Sequence, residues 1–233
     1  MKNYKCLNGN ILKIIALITM TVDHIGYNIC DNNLIMRGIG RIAFPIFAYM
    51  IAEGCKYTKN RKKHLLTIAI CGICFQTVYS LIYQSFYLNI FITFTLSVIL
   101  IYAYDCINNG RISTYMPFIT AIITTVIITA ILPRINESIS VDYGLIGVLI
   151  PLLLYISKNK NIKLIILSVC LILNCINFED FTFMPIKLAA LGAVILLKFY
   201  NGERGKLNLK YLFYIYYPLH LTVIYIINCL INK

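Results

Sequence analysis

Charged side chains are scarce in this chain of 233 residues: they make up 13% of the sequence, whereas hydrophobic residues make up 60%. A soluble domain carries about 25% charged residues, so this composition, with a mean hydropathy of +0.79, excludes a water-soluble globular protein. Polar stretches long enough to form a domain outside the membrane are lacking as well. We therefore predict a single integral membrane domain over 1–233, multi-pass in the plasma membrane and surrounded by the lipid bilayer.

Paired metal ligands are also lacking, because the nine cysteines are scattered singly apart from Cys71 and Cys74 in an apolar run. Without a second cysteine pair or a strand–helix redox context, we expect packing residues and no metal. The first apolar run is not followed by a small-residue cleavage site. We therefore expect a retained helix rather than a signal peptide.

Acidic residues number only 9 against 21 lysines and arginines, which gives a net charge of +12. In a soluble protein this charge would suggest nucleic acid. Here the cations lie in short loops between apolar runs, the pattern of the positive-inside rule, so we expect no nucleic-acid partner. Attraction of an anionic cofactor by the same charges is compatible with this interpretation.

The apolar runs predict an all-α transmembrane helix bundle of about nine spans, because roughly 20 apolar residues cross a bilayer. The predicted helices cover about 11–30, 39–55, 64–83, 88–106, 114–132, 142–157, 162–177, 184–200 and 211–231, with a loop at 31–38. A cytoplasmic N-terminus puts most lysines and arginines in cytoplasmic loops. The strongest basic cluster, after the second helix, contains Lys59, Arg61, Lys62 and Lys63.

The first predicted helix carries three ionisable residues, Lys13, Asp23 and His24. Such a group costs roughly 2.5–3.5 kcal/mol at the bilayer centre, which makes it a functional candidate. Lys13 and His24 are eleven residues apart, and at about 100° per residue this spacing returns to within about 20° of the same face. Histidine suits general-base work and the adjacent carboxylate could orient it. A hydrogen-bonded core histidine is the structural alternative.

The second predicted helix adds Arg41, Pro45 and Glu53. Because unpaired charges are costly at membrane depth, we expect Asp23 and Arg41 to pair, either as a structural salt bridge or within a site. Pro45 lacks the N–H that would bond the carbonyl of Arg41, which is typical of a helix that lines a cavity. Glu53 is either in a local ion pair with a neighbouring lysine or a cytoplasmic gate.

Polar residues elsewhere could line the same interior. His220 follows Tyr217 and Pro218 in the last predicted helix, where the proline interrupts backbone hydrogen bonding. Three more polar residues lie in or beside predicted helices: Gln76, Asn89 and Asp142. Hydrogen bonding between helices explains the first two as well, and a helix N-cap explains the third.

Five blocks of sequence follow one another along the chain: LKIIALITMTVDHIGY, RGIGRIAFPIFAYMIAEGCKYTKNRKKHL, NIFITFTLS, DYGLIGVLI and FYIYYPLH. In order and spacing they resemble the TraX family of integral membrane proteins, which is associated with N-terminal acetylation of conjugative pilin. They are also similar to the broader membrane acyltransferase (acyltransferase-3-like) superfamily. Its first helix often has a basic residue, ten residues and then a histidine, as Lys13 and His24 have here.

The resemblance implies a membrane acyltransferase that uses acetyl-CoA as co-substrate and acetylates an extracytoplasmic peptide, glycan or small molecule. It implies catalysis by His24, oriented by Asp23, with His220 as the second candidate. The residues assigned to substrate binding are Arg41, Glu53, Gln76, Asn89, Asp142 and Tyr217. The residues assigned to the phosphates of acetyl-CoA are Lys13, Lys59, Arg61, Lys62 and Lys63.

Alternatives from other function classes stay open. A small transporter or flippase could use Asp23, His24 and Arg41 as a polar relay, although no inverted repeat relates the halves. A structural assembly factor would need the buried polar groups only for packing. The sequence also leaves open whether His24 or His220 is the base, and whether transfer is direct or passes through an acetyl-histidine.

Overall fold

The computed structural model describes residues 6–107, 115–136, 138–176, 184–207 and 209–231. Over these residues the chain is all-α, as predicted, with two isolated β-bridges, Leu7 to Tyr200 and Leu88 to Val141. The helices are α1 Gly9–Asn28, α2 Leu34–Gly40, α3 Ala43–Tyr57, α4 Arg61–Tyr83, α5 Ile90–Ile107, α6 Tyr115–Val126, α7 Leu132–Ile135, α8 Gly144–Ile156, α9 Lys160–Cys175, α10 Met184–Leu188, α11 Gly192–Lys198 and α12 Lys210–Ile231. A π-helical turn, Ile127–Ile131, joins α6 to α7, and a 3₁₀ turn, Ala189–Leu191, joins α10 to α11.

Five helical stretches of the described chain are long and apolar enough to cross a bilayer, as a polytopic membrane protein requires. They are Gly9–Asn28, Leu34–Tyr57, Arg61–Leu81, Ile90–Ile107 and Tyr115–Ile135, and shorter apolar helices cover Gly144–Ile156 and Ile215–Ile231. All nine predicted helices correspond to helical backbone, while the predicted ends at 114 and 177 lie outside the described residues. Nine spans and a cytoplasmic N-terminus stay predictions.

The prediction of a loop at 31–38 is wrong from residue 34 onward, where α2 begins, while residues 31–33 lie outside any helix. Asn33 caps α2 by accepting hydrogen bonds from the backbone N–H groups of Ile35 and Met36. The helix was not predicted because it contains two glycines, and glycine disfavours helices. The second predicted helix is consequently two helices, interrupted after α2 at 41–42. Pro45 lies in the first turn of α3, where its missing N–H costs no intrahelical bond.

Contacts divide the chain into two compact units, and the prediction of a single domain stays a prediction. Unit 1 comprises Met1–Met50 and Lys160–Lys233, and unit 2 comprises Ile51–Asn159. In unit 1, α1 and α2 pack closely. A methyl group added to Gly40 would overlap Asp23 on α1, so the absence of a side chain lets the two backbones approach.

The start of α1 is held by residues 199–207, which we call the clamp. The backbone N–H of Gly9 donates to the carbonyl of Glu203 at 2.7 Å, and that of Asn10 donates to the carbonyl of Arg204 at 3.0 Å. These bonds use N–H groups that the first turn of a helix leaves without intrahelical partners. The clamp therefore fixes the entry into α1.

Helix α12 runs beside α1 in the same direction. Lys13 Nζ lies 5.2 Å from the ring centroid of Phe213. Further along both helices, Thr21 Oγ1 and Tyr216 Oη are hydrogen-bonded at 2.8 Å. These contacts fix which face of α12 meets α1.

Unit 2 is built around α5, which packs against α4, α6 and α8. Its Leu100 and Ile101 side chains are at most 1% exposed. The buried Ser97 hydroxyl donates to the carbonyl of Val148 on α8 at 2.8 Å. A hydroxyl at this crossing supplements the van der Waals packing that holds membrane helices together.

Candidate functional site: a histidine pair in unit 1

Two histidines meet where α1 and α12 face each other. The ring centroids of His24 and His220 are 5.2 Å apart, with the planes at 64°. His220 is 6% exposed and His24 is half-buried. Tyr216 stacks on His220 at 5.3 Å, and Tyr217 meets it edge-on at 5.4 Å. The sequence predicted both histidines and Tyr217 as candidates for one polar interior, and the structure brings them together.

The hydrogen bonding of His220 defines which ring nitrogen can accept a proton. Its Nδ1 lies 3.0 Å from the backbone carbonyl oxygen of Tyr216. A carbonyl only accepts, so Nδ1 donates and the neutral ring carries its lone pair on Nε2. That Nε2 atom is buried and has no hydrogen-bond partner within the described chain. A buried lone pair without a partner costs stability, and it is also what a general base needs.

Asp23 forms an ion pair with Arg37 of α2, with 2.8 Å between Oδ1 and Nη1. The two side chains are 14% and 22% exposed, so the pair is largely shielded from solvent. The guanidinium of Arg37 also lies 4.9 Å from the ring centroid of Tyr27 on α1. The pair thus joins α1 to α2 one residue before His24.

Arg41, the predicted partner of Asp23, follows the last residue of α2. Its backbone N–H donates to the carbonyls of Arg37 and Gly38, both at 3.2 Å. Its charge acts on both Asp23 and His24. Arg41 therefore belongs to the same cluster, while the short contact of Asp23 is with Arg37.

Lys13 and His24 both face α12, as their eleven-residue spacing predicts. Lys13 is half-buried, and the charge of Arg204 in the clamp acts on it. Two cations therefore lie near each other at the start of α1.

Gln76 and Asn89, predicted to bind substrate, lie in unit 2 and bond to each other. Gln76 Oε1 accepts from the backbone N–H of Asn89 at 3.0 Å and from its Nδ2 at 2.8 Å. The same Nδ2 donates to the carbonyl of Gly72 at 3.1 Å. The arrangement corresponds to the structural alternative, in which hydrogen bonds fix the end of α4 against the start of α5.

Asp142, also predicted to bind substrate, joins a second polar group of unit 2. Its Oδ1 accepts from the Tyr87 hydroxyl at 3.1 Å, and its carbonyl accepts from Thr93 Oγ1 at 2.9 Å. Burial and the neighbouring carboxylate raise the pKa of Tyr87, so this phenol stays protonated and donates. Tyr143, rather than Asp142, occupies the N-cap position of α8.

The residues predicted for acetyl-CoA at the start of α4 have two different environments. Arg61 Nη2 pairs with Asp105 Oδ2 of α5 at 2.6 Å, and the same oxygen accepts from the Tyr155 hydroxyl at 2.8 Å. Lysines 59, 62 and 63 are exposed. Glu53, in α3 before this cluster, is 8% exposed. His64 is half-buried, and its Nδ1 lies 2.8 Å from the Tyr102 hydroxyl.

Several polar residues of these networks were not predicted from the sequence, among them Asp105, Arg37 and Tyr216. Asp105 lies inside the fourth predicted helix, so the criterion that selected Asp23 would have found it. Arg37 lies four residues before Arg41, a spacing that places both on one helical face once α2 is recognised. For Tyr216, which stacks on the second histidine, no sequence signal separates it from the neighbouring tyrosines.

The sequence of the chain is similar to that of a known protein family. The model of the TraX protein family matches residues 8–228. The chain belongs to the TraX family. The match includes α1, α2 and nearly all of α12, the three helices that carry the histidine pair and the Asp23–Arg37 ion pair. It confirms the resemblance predicted from the sequence blocks.

Two relatives are similar to this TraX-family protein over much of its length. The probable fimbrial assembly protein FimC, serogroup H1, of Dichelobacter nodosus is 25% identical over 239 residues, covering 91% of this chain and 92% of the relative. The uncharacterized protein RP591 of Rickettsia prowazekii (strain Madrid E) is 31% identical over 158 residues, covering 66% of this chain and 58% of the relative. No solved structure matches the chain.

Proposed function

We propose that this TraX-family protein is a membrane acyltransferase. It moves an acetyl group from cytosolic acetyl-CoA to an amine or hydroxyl acceptor on the opposite side of the plasma membrane. One observation carries the proposal: the contact of His24 with His220, whose lone pair on Nε2 is buried among α1 and α12. A lone pair in this setting is poised to take a proton from an acceptor.

The reaction is a direct transfer. A neutral amine or a hydroxyl on the acceptor gives its proton to His220 Nε2 as it attacks the carbonyl carbon of the thioester. The carbon–sulfur bond then breaks, and sulfur leaves with the bonding electrons as the thiolate of CoA. The imidazolium proton passes to that sulfur, so the products are the acetylated acceptor and free CoA, and the histidine is neutral again.

The surrounding residues have distinct parts in this step. The Tyr216 carbonyl, 3.0 Å from His220 Nδ1, stabilises the imidazolium that forms. Arg41, whose charge acts on His24, is suited to stabilise the developing oxyanion. His24 lies beside the base and positions the acceptor. The Asp23–Arg37 pair holds α2, and thereby Arg41, against α1.

One relative is named as a probable fimbrial assembly protein, which supports a place for this activity in filament assembly. We therefore propose that the acceptor is a peptide amine or hydroxyl of a filament subunit, outside the cytoplasm. The predicted nine-span topology with a cytoplasmic N-terminus would put the basic loops on the acetyl-CoA side, where positive charge attracts phosphates.

The proposal is tested by release of free CoA from acetyl-CoA, with peptide amines and sugars offered as acceptors to the purified protein in detergent. His24→Ala and His220→Ala should each slow release by about 100-fold or more, the usual contribution of a positioned acid–base group. The third histidine provides the matched control: His64→Gln changes a histidine in unit 2 and should release CoA at the wild-type rate.

Wild-type rates in both histidine variants of unit 1 would contradict the proton-transfer role. A folded wild-type protein that does not bind acetyl-CoA would instead support a transporter with Asp23, His24 and Arg41 as its relay. Thermal unfolding of every variant separates lost chemistry from a lost fold.

A further inference from the structure

We propose that a groove between α5 and α6 binds one acyl chain of an anionic phospholipid, whose phosphate group contacts the cations at the start of α4. The groove has a volume of about 460 Å³, within the ~300–1,000 Å³ that is typical of small-molecule sites. It lies entirely in unit 2. The inference is independent of the proposed acyltransferase activity, whose histidines belong to unit 1.

The groove is about as deep as one leaflet of a bilayer. It extends from Leu96 to Cys106 on α5 and from Pro117 to Thr125 on α6. At ~1.5 Å per residue these stretches are roughly 15 Å and 12 Å long, about half of a ~30 Å hydrocarbon core. Both belong to helical stretches that are long and apolar enough to cross a bilayer. The groove therefore runs from one membrane surface to about the middle of the bilayer, as an acyl chain does.

The walls of the groove match an alkyl chain. Ala103 and Ala121 are 8% and 7% exposed, and their small side chains leave room between the two helices. Thr120 Oγ1 donates to the carbonyl of Met116 at 3.0 Å, and Thr124 Oγ1 donates to the carbonyl of Thr120 at 2.8 Å. Because these hydroxyls are bonded within their own helix, a ligand in the groove does not have to satisfy them. The amide-containing arm of CoA would lose hydrogen bonds to water in this setting, whereas an acyl chain would not.

The end of the groove at the membrane surface is cationic. Tyr102 lines the groove, and the guanidinium of Arg61 lies 5.3 Å from the centroid of its ring. The Arg61 side chain is 51% exposed while its Nη2 pairs with Asp105, and a guanidinium has further N–H donors that suit a phosphate. Lys62 and Lys63 follow and are exposed. The sequence predicted these cations for the phosphates of acetyl-CoA, and a lipid phosphate is recognised by the same chemistry.

The inner end of the groove is marked by irregular backbone. Two residues after Thr125, the helix changes to the π-helical turn Ile127–Ile131. Such turns are rare and occur frequently at functional sites. The turn is therefore a second observation, independent of the charges, that points to a function at this groove.

The headgroup determines which lipid the groove prefers, because the chain of any bilayer lipid can enter an apolar groove. Phosphatidylglycerol has a net negative charge, and the arginine and lysines at the groove attract it. Phosphatidylcholine has the same phosphate together with a quaternary ammonium group, which these cations repel. An anionic phospholipid consequently gains from both the groove and the charges.

The test counts lipids bound to the purified full chain in detergent by native mass spectrometry. Phosphatidylglycerol is compared with phosphatidylcholine of the same acyl chains, and the wild type should bind one phosphatidylglycerol about 10-fold more tightly. Thr124→Phe adds a ring at the exposed rim of the groove and should weaken binding of both lipids by about 10-fold. The matched control is Ile123→Phe, because the adjacent Ile123 is 52% exposed but lies outside the lining of the groove. This control should bind as the wild type does.

The charge at the groove is tested separately. Arg61→Gln removes the cation beside Tyr102, and Lys62→Gln removes an exposed cation without breaking the ion pair with Asp105. Each should weaken binding of phosphatidylglycerol by about 5-fold and leave that of phosphatidylcholine unchanged. Arg134→Gln matches the loss of charge at the other end of the helical stretch that contains α6, and it should keep the wild-type preference. Thermal unfolding shows whether each variant is folded.

A preference for phosphatidylglycerol that Thr124→Phe and Lys62→Gln both weaken, with both controls unchanged, supports the site. Equal affinity of the wild type for the two lipids overturns the inference, and so does an Ile123→Phe variant that binds as weakly as Thr124→Phe. A dimer of the chain that retains no lipid and is lost in Thr124→Phe would show that the groove is an interface between copies. Displacement of the bound lipid by acetyl-CoA would assign the groove to CoA and likewise overturn the inference.

Discussion

Buried polar side chains in the two units differ in how they are satisfied. In unit 2, Asn89 is 4% exposed, and its Nδ2 donates to Gln76 and to the carbonyl of Gly72. In unit 1, His220 is 6% exposed, and its Nε2 has no hydrogen-bond partner in the described parts of the chain. Two residues of similar burial therefore differ: the Asn89 amide nitrogen is fully bonded, whereas one of the two ring nitrogens of His220 has no partner.

This difference distinguishes a buried residue that stabilises helix packing from one that is suited to a chemical role. A fully bonded buried amide fixes how helices pack, because its partners would be left unsatisfied in any other arrangement. A buried nitrogen without a hydrogen-bond partner lowers stability, and polar groups left unsatisfied in this way are typical of functional sites. The sequence assigned Asn89, Gln76 and His220 to one site, since composition cannot distinguish a paired polar group from an unpaired one.

We expect the largest loss of stability when α2 can no longer pack closely against α1 at Gly40. Gly40→Ala should lower the free energy of unfolding by about 3 kcal/mol, because the new methyl group overlaps Asp23 and overpacking forces α2 away from α1. Denaturant unfolding in detergent measures the change. Loss of the ion pair between Asp23 and Arg37 would accompany it.

Gly38→Ala is the matched control, two residues earlier on the same helix. A Cβ at Gly38 would lie 3.7 Å from Ala189 Cβ, an ordinary van der Waals contact. The control should be neutral or slightly stabilising, by up to about 1 kcal/mol, since alanine is the better helix former. Equal effects of the two substitutions would mean that the α1–α2 approach is not tight.

The same helices show how much of the fold and of the candidate site could be predicted from the sequence. Long apolar runs predict the helical segments, since a membrane leaves few other backbone options. The helix at α2 was missed because two glycines lowered its propensity, and Arg37 was missed with it. The His24–His220 contact joins residues 196 positions apart, and periodicity carries no information about which distant helices meet.

Leucine at one buried polar position of each unit tests whether the two positions differ in their effect on stability. Asn89→Leu should destabilise the protein by about 3 kcal/mol, because Gln76 Oε1 and the Gly72 carbonyl each lose a donor in a buried setting. His220→Leu should stay within about 1 kcal/mol of the wild type, since it removes an unsatisfied nitrogen together with one hydrogen bond.

The free energies of unfolding of the two leucine variants, measured side by side, show whether Asn89 and His220 contribute differently to stability. Thr77→Val provides a baseline on α4, because Thr77 is exposed and its hydroxyl bonds only to its own helix. A His220→Leu variant as unstable as Asn89→Leu would show that the histidine is a packing residue. That result would remove the distinction between the two units.

The smallest effect concerns the ion pair between Asp23 and Arg37. A double-mutant cycle of Asp23→Asn and Arg37→Gln should give a coupling energy of about 1–2 kcal/mol, more than an exposed pair because these side chains are 14% and 22% exposed. The physical reason is weaker screening by solvent at this depth. Arg61→Gln with Asp105→Asn gives the corresponding cycle in unit 2, where the arginine side chain is 51% exposed. The coupling energy of the unit 2 pair should be smaller and should fall more steeply with added salt. Equal coupling energies and equal salt dependences of the two pairs would contradict the shielded position of the unit 1 pair.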